Sequence, residues 1–372
     1  MKFAIITNVI HIKEENQYFG YSPYILEMNI WLQYVDEVII VAPLSESKIN
    51  SLQSPYKFHK INFYKVPDFN FVNAGNSFKA LFKLPSIFWN IFQAMRKADH
   101  IHLRCPGNMG LLGCMVQILF PSKKKTAKYA GNWDPKSKQP LTYRLQKWIL
   151  NNTFLSRNMQ VLVYGEWENQ SKNIKPFFTA TYSEYEKENL SKSCIKLEAT
   201  FIFVGSLVSG KNPMYAVRII EQLKKNGKNA LLHIFGEGIE RTNLETYIKN
   251  NQLESLVCLH GNQNKETVKQ FYKESHFVIL PSRSEGWPKA VAEGMFWGCV
   301  PIVTKVSCVP FMIDYGKRGI LLEMELEKDL AQIDGVFSDQ NLFTQMSEQA
   351  LEWSQNFTVD QFEREIEKMI VK

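Results

Sequence analysis

The sequence predicts an α/β protein built from two parallel-sheet domains, and three observations point there. Short apolar runs recur down the chain, each followed by a loop and an amphipathic helical stretch, as in strands covered by crossover helices. The chain has 372 residues, more than one ordinary domain needs. Charge then divides it. Residues 1–180 carry 22 Lys+Arg against 11 Asp+Glu (+11), and residues 181–372 carry 22 against 26 (−4). A basic half joined to a mildly acidic half implies domains that meet different partners.

The composition, 45% hydrophobic and 22% charged, is that of a globular chain and excludes a disordered or fibrous protein. No apolar run approaches the length of a membrane span. MKFAIITNVI lacks a small-residue cleavage site and reads as a first strand. Six cysteines, at 105, 114, 194, 258, 299 and 308, form no C-x-x-C pair and read as reduced cytosolic thiols. The basic half is compatible with nucleic acid, though no nucleic-acid module is visible, and fits an anionic membrane surface or a phosphate-bearing acceptor equally well.

In the N-terminal half, Lys2 to Asn8 and Glu37 to Ala42 read as buried strands around a helix from Pro23 to Tyr34. The stretch His11 to Tyr21 reads as a loop, aromatic at Tyr18, Phe19 and Tyr21, where a sugar or isoprenoid could stack or which packs on the surface. Residues 51–75 read as a strand and an irregular loop. Ser77 to Lys97 is a basic helix whose face carries Phe78, Leu81, Phe82, Leu84, Ile87, Phe88, Ile91, Phe92 and Met95. Such a helix covers a sheet or lies on an anionic bilayer. HIHLRCPGNMG (100–110), AKYAGNWDP (127–135) and VLVYGEW (161–167) are further strands, the first two running into Pro/Gly loops, with His102 packed inside the first.

Ser183 to Glu198 is charged and weakly patterned and is expected to link the domains, 1–182 and 199–345. A second series follows: strand Phe201 to Val204, loop GSLVSGKNP, and a helix from Pro213 with Asn212 as a cap. ALLHIFGEG (230–238) ends in Gly236 and Gly238, which let backbone approach a ligand closely. The stretch 277–302 organises this half. Phe277 to Leu280 is a buried strand, Arg283 to Pro288 a loop, and Lys289 to Trp297 a helix closed by Gly298. Glu285 in the loop and Glu293 on the helix flank a turn of the kind where parallel sheets bind ligands. Backbone N–H groups of Gly286 and Trp287 suit an anion, and carboxylates suit vicinal hydroxyls. Together they describe a sugar nucleotide. A plain strand–loop–helix with two solvated glutamates is the bland alternative.

Glu285-Gly286-Trp287-Pro288, followed by Glu293-Gly294-Met295 and Gly298, resembles the E-x7-E signature of the family 4 retaining glycosyltransferases of GT-B fold. That family usually reads E-G-F-G-x-x-x-x-E-A-M-A-x-G. The likeness is strong over 200–325 and covers nearly the whole chain. It implies two Rossmann-like domains facing a cleft, with residues 346–372 crossing back to the N-terminal domain. It implies transfer of a hexose from a UDP- or GDP-linked sugar to a hydroxyl acceptor with retention, without metal or cofactor, in polysaccharide or glycolipid synthesis. Glu293 would take the ribose hydroxyls, Glu285 the donor hexose, and Lys211 the diphosphate. Gly205, Ser206, Gly236, Gly238, Gly286 and Trp287 would line the donor.

Two departures stand out. Ser206 occupies the position of the family arginine, so Lys289, or failing it Arg283, is the expected second cation. Pro288 removes one N–H that a family glycine would supply. Arg104 and Asn132, with Asn108, are the acceptor-side candidates, since no histidine follows the second strand. The protein is then expected in the cytoplasm, with peripheral contact at the inner membrane face. A nucleotide-sugar epimerase on the same fold and a non-catalytic partner subunit are the rival readings.

Overall fold

The computed structural model describes residues 1–50, 52–67, 74–188, 190, 192, 195 and 198–371, with only the backbone of 74–82. It separates into two compact units, Met1–Phe177 with Glu363–Lys372, and Phe178–Phe362.

Among its described residues the first unit holds ten strands: β1 (Lys2–Ile6), β2 (His11–Glu14), β3 (Gln17–Tyr21), β4 (Glu37–Ser45), β5 (Gln53–Pro55), β6 (Ile61–Val66), β7 (His100–Cys105), β8 (Lys124–Tyr129), β9 (Met159–Tyr164) and β10 (Ile174–Phe177). The parallel path runs β10-β9-β8-β7-β1-β4, with β6 beside β4. The apolar runs at β1 and β4 are buried because helices cover the sheet.

The stretch 11–21, expected as a loop, is instead the β2–β3 hairpin, with Ile12 opposite Phe19. Burial of Ile12 and stacking of Tyr18 on Phe63 at 4.7 Å draw it onto the sheet edge. Tyr18 is thus committed to the fold, while Tyr21 is exposed.

The helix expected at 77–97 spans Ala74–Lys97. Ile87, Ile91, Ala94 and Met95 are buried against the sheet, so this half of it is core cover. Phe78, Leu81 and Phe82 have side chains outside the described residues. Lys123 Nζ donates to the carbonyls of Met95 at 2.8 Å and Arg96 at 2.7 Å, satisfying the helix's last orphan acceptors. Among the described residues no helix is long and apolar enough to cross a membrane.

The second unit holds β11 (Ala199–Val204), β12 (Ala230–Phe235), β13 (Val257–Gly261), β14 (Phe277–Leu280), β15 (Val300–Thr304) and β16 (Ile320–Leu322). All pair in parallel in the order β13-β12-β11-β14-β15-β16. The order reverses between β11 and β14, so the loops leaving those two strands flank a topological switch point. Helix Lys289–Phe296 ends in a Schellman turn: Cys299 N–H reaches Gly294 O at 2.9 Å, and Gly298 takes φ +77°.

Two expectations about the joints change. Residues 183–188, expected as linker, pack on the second unit: Ser183 caps a short turn with Glu186, whose carboxylate meets Lys269 at 3.0 Å. Helix Gln340–Ser354, expected partly in the return, packs on Lys289–Phe296 within the second unit, and only 363–372 belong to the first.

Candidate functional site

In the second unit Lys211 and Glu285 meet at the switch point. Lys211 follows β11 and Glu285 follows β14, and Lys211 Nζ lies 2.6 Å from Glu285 Oε1. The carboxylate side chain is 7% exposed and the ammonium 31%, so the cation has an open face. Arg283 N–H donates to Gly210 O at 2.9 Å, tying the two loops together at the backbone; the Arg283 side chain is exposed.

Glu293 has different neighbours. Thr181 Oγ1 donates to its Oε1 at 2.7 Å and Tyr272 OH to its Oε2 at 3.4 Å. Desolvation raises its pKa, opposed by Thr181, Lys289, Tyr272 and Lys265. Two donors leave lone-pair sites on the carboxylate for further hydroxyls. Lys289 lies one turn before Glu293 and lines the same small cavity, with Thr181 and Trp287. The Trp287 ring is buried on Trp353 and Phe357, so its indole serves the core. Gly286 carries its carbonyl toward Cys308 Sγ at 3.0 Å, and its N–H has no partner among the described residues.

Gly236 and Gly238 let two backbone loops meet. A Cβ on Gly236 would lie 2.0 Å from Gly205 O, and one on Gly238 2.3 Å from Leu207 O. Their missing side chains let the loop after β12 lie flat on the loop after β11. Gly205 N–H is used on Phe235 O and Leu207 N–H on Glu237 O, both at 2.9 Å. Ser206, between them, is exposed. Asn212 also differs from expectation: it takes a left-handed conformation, φ +51°, and its side chain caps nothing.

In the first unit Arg104, near the end of β7, meets Glu27 at 3.5 Å. Lys128 of β8 meets the other oxygen of Glu27 at 2.8 Å, with both side chains buried. Glu27 and Lys128 were missed in the sequence. A lysine inside the apolar run AKYA and a glutamate on a helix face with Ile25 and Met28 were the available signal, since buried charges demand partners. Asn132 shapes its own turn: its Oδ1 accepts from Asp134 N–H at 2.8 Å and its carbonyl from Gln139 at 2.5 Å. His102 is fully buried, stacked on Phe3 and tilted against Trp31, with its pKa far below the usual range because burial disfavours the cation.

Two sheets of this order define the class, and comparison with known proteins supports it. The chain overlays HepE of Anabaena, solved in complex with UDP, with a TM-score of 0.71 over 100% of this chain and 99% of that one, at 14% identity. The fold is GT-B. Residues 186–353 match the family Glycosyl transferases group 1, and over them the chain carries a domain of that family. It is 30% identical over 170 residues to an uncharacterized glycosyltransferase of Haemophilus influenzae, covering 44% of this chain and 47% of that protein. It is 29% identical over 136 residues to the capsular polysaccharide biosynthesis glycosyltransferase CapH of Staphylococcus aureus, covering 34% of this chain and 36% of CapH. The chain thus matches less than half the length of these relatives.

Proposed function

We propose that the protein is a retaining glycosyltransferase that moves a hexose from a UDP- or GDP-linked sugar to a hydroxyl acceptor in surface-polysaccharide or glycolipid synthesis. The observation that carries this reading is the Lys211–Glu285 pair at the switch point, where one half-exposed cation is held by a buried carboxylate. A diphosphate there would draw on Lys211, the open N–H of Gly286 and the positive end of helix Lys289–Phe296. Those charges would stabilise the departing diphosphate without a metal ion, and a phosphate oxygen could take the acceptor proton. Glu285 would accept from the hexose hydroxyls and Glu293 from the ribose. With Ser206 in place of a second cation, Lys289 would substitute, and Arg283 is the second choice. Arg104, held by Glu27 in the first unit, and Asn132 would serve the acceptor. The relative CapH, by its name a capsular polysaccharide enzyme, supports the polymer context. The basic first unit favours an acceptor carried at the inner face of a membrane, with the protein cytoplasmic and peripheral there.

The deciding experiment is thermal stabilisation by UDP, GDP, ADP and their sugar conjugates, on wild type and Lys211→Ala. Ligand at 100 times its Kd adds about 2.7 kcal/mol. One nucleotide series should stabilise the wild type and not the variant. A folded protein indifferent to all three nucleotides would sink the donor site.

A further inference from the structure

A second charged site lies at the other end of the first unit's sheet. The strands β7 to β10 present their N-terminal ends to a cavity of about 770 Å³. His100 opens β7, Lys124 opens β8, and Asn173 precedes β10; Arg157 and Lys172 come from the loops leading into β9 and β10. Lys175 and, from the last helix, Lys368 complete the lining. Among the described residues no carboxylate contributes to it.

The cations differ in what holds them. Lys368 is paired with Glu365 at 2.7 Å, and Lys125, also at the lining, gives its Nζ to the carbonyls of Gln117 and Phe120. Lys124, Arg157, Lys172 and Lys175 have no ion-pair partner among the described residues, and all four are exposed. Four unpaired like charges around one cavity repel one another and draw an anion. A buried ring lies in the same lining. His100 is 1% exposed, and its Nε2 lies 3.0 Å from Thr126 Oγ1. Charge bound among these cations is felt by that ring.

We propose that this cavity binds a group carrying two or more phosphate charges, distinct from the donor site of the second unit. Arg157 offers a planar fork that matches phosphate geometry, and the lysines act as point charges around it. The Thr126 hydroxyl can donate to His100 Nε2 while accepting from His102 Nδ1, 2.9 Å away. That arrangement puts the His100 proton on Nδ1, so the neutral ring serves as a reporter of charge bound in the cavity it lines. A soluble diphosphate and a lipid headgroup of the same charge share this chemistry.

The test is a titration of the full chain with inorganic pyrophosphate at low ionic strength, read from the imidazole ¹⁵N resonances. The His100 signal is assigned by its absence in His100→Gln. Saturable movement of that signal is expected in wild type and in Lys211→Ala, which removes the donor-site cation. The Arg157→Gln/Lys172→Gln variant, altered only at exposed positions, should bind at least about tenfold more weakly, as expected for lost charge-assisted contacts. Cardiolipin–phosphatidylcholine vesicles, with two phosphates per anionic headgroup, that compete with pyrophosphate would assign the group to a lipid; vesicles that do not would assign it to a soluble ligand. A His100 signal that stays still, or equal affinity in the double variant, overturns the proposal.

Discussion

Replacing Gly236 by alanine probes the seating of the two loops that carry the proposed donor site. A Cβ there lies 2.0 Å from Gly205 O and 2.8 Å from Gly205 C, and φ at Gly236 is +140°. Carbon and oxygen sit comfortably at about 3.3–3.6 Å, so one loop must retreat by more than ~1 Å. The obstructing atoms are main chain and cannot rotate aside. Retreat breaks the Gly205–Phe235 and Leu207–Glu237 hydrogen bonds, at about 1 kcal/mol each. The backbone conformation adds about 1–2 kcal/mol for a residue with a side chain. The sum, about 3–4 kcal/mol, corresponds to a fall of about 6–16 °C in Tm for a unit of this size. Gly210→Ala is the control in the facing loop after β11, since nothing lies within 4 Å of its Cβ; it should be neutral or stabilise by about 0.4–1 kcal/mol. Thermal unfolding followed by circular dichroism reads both. If the two variants melt within about 2 °C of each other, well under the expected gap, the loop-on-loop account of Gly236 is wrong.

Further outcomes follow from the charged groups. Lys211→Met strands a carboxylate that is 7% exposed; because the lysine itself is partly solvated, the cost should be about 1–3 kcal/mol by urea unfolding. Adding Glu285→Gln should recover most of that loss, and strictly additive effects would deny the coupling. Glu293 has a raised pKa from burial, so the folded state holds a proton that the unfolded chain has released. Its contribution therefore falls as pH rises from the ordinary 4.5 through the raised value. Glu293→Gln should be more stable than wild type at pH 7 and lose that advantage in acid; the reverse order in urea melts would contradict the desolvation argument. Burial takes His11, His100 and His276 from 6.5 to about 4. Between those values the unfolded chain binds protons that the folded chain refuses, so stability should climb as pH rises through that window. Denaturation midpoints that stay flat there would show that these imidazoles are not neutral in the fold.

Much of the architecture is legible in local pattern. Apolar runs bounded by Gly and Pro locate the parallel strands of both units, because a strand covered on both faces tolerates little else. The Schellman close at Gly298 and the Glu285–Glu293 spacing can likewise be read from neighbours in the chain. Residues that belong to two distant segments cannot. Lys211 and Glu285 are 74 positions apart and touch only because β11 and β14 are adjacent in the sheet. Glu27 and Lys128 pair in the same way across the first unit. The glycines of 236–238 look ligand-directed in sequence, whereas the structure puts another loop against them. The hairpin at 11–21 was hidden because its pairing depends on a sheet edge that exists only after β4 is in place. The basic cavity gathers residues from four strand entrances and the final helix, segments that lie far apart in the sequence. Periodicity determines which side of an element is buried; which elements stand side by side, and so which charges meet, is decided by strand order and packing.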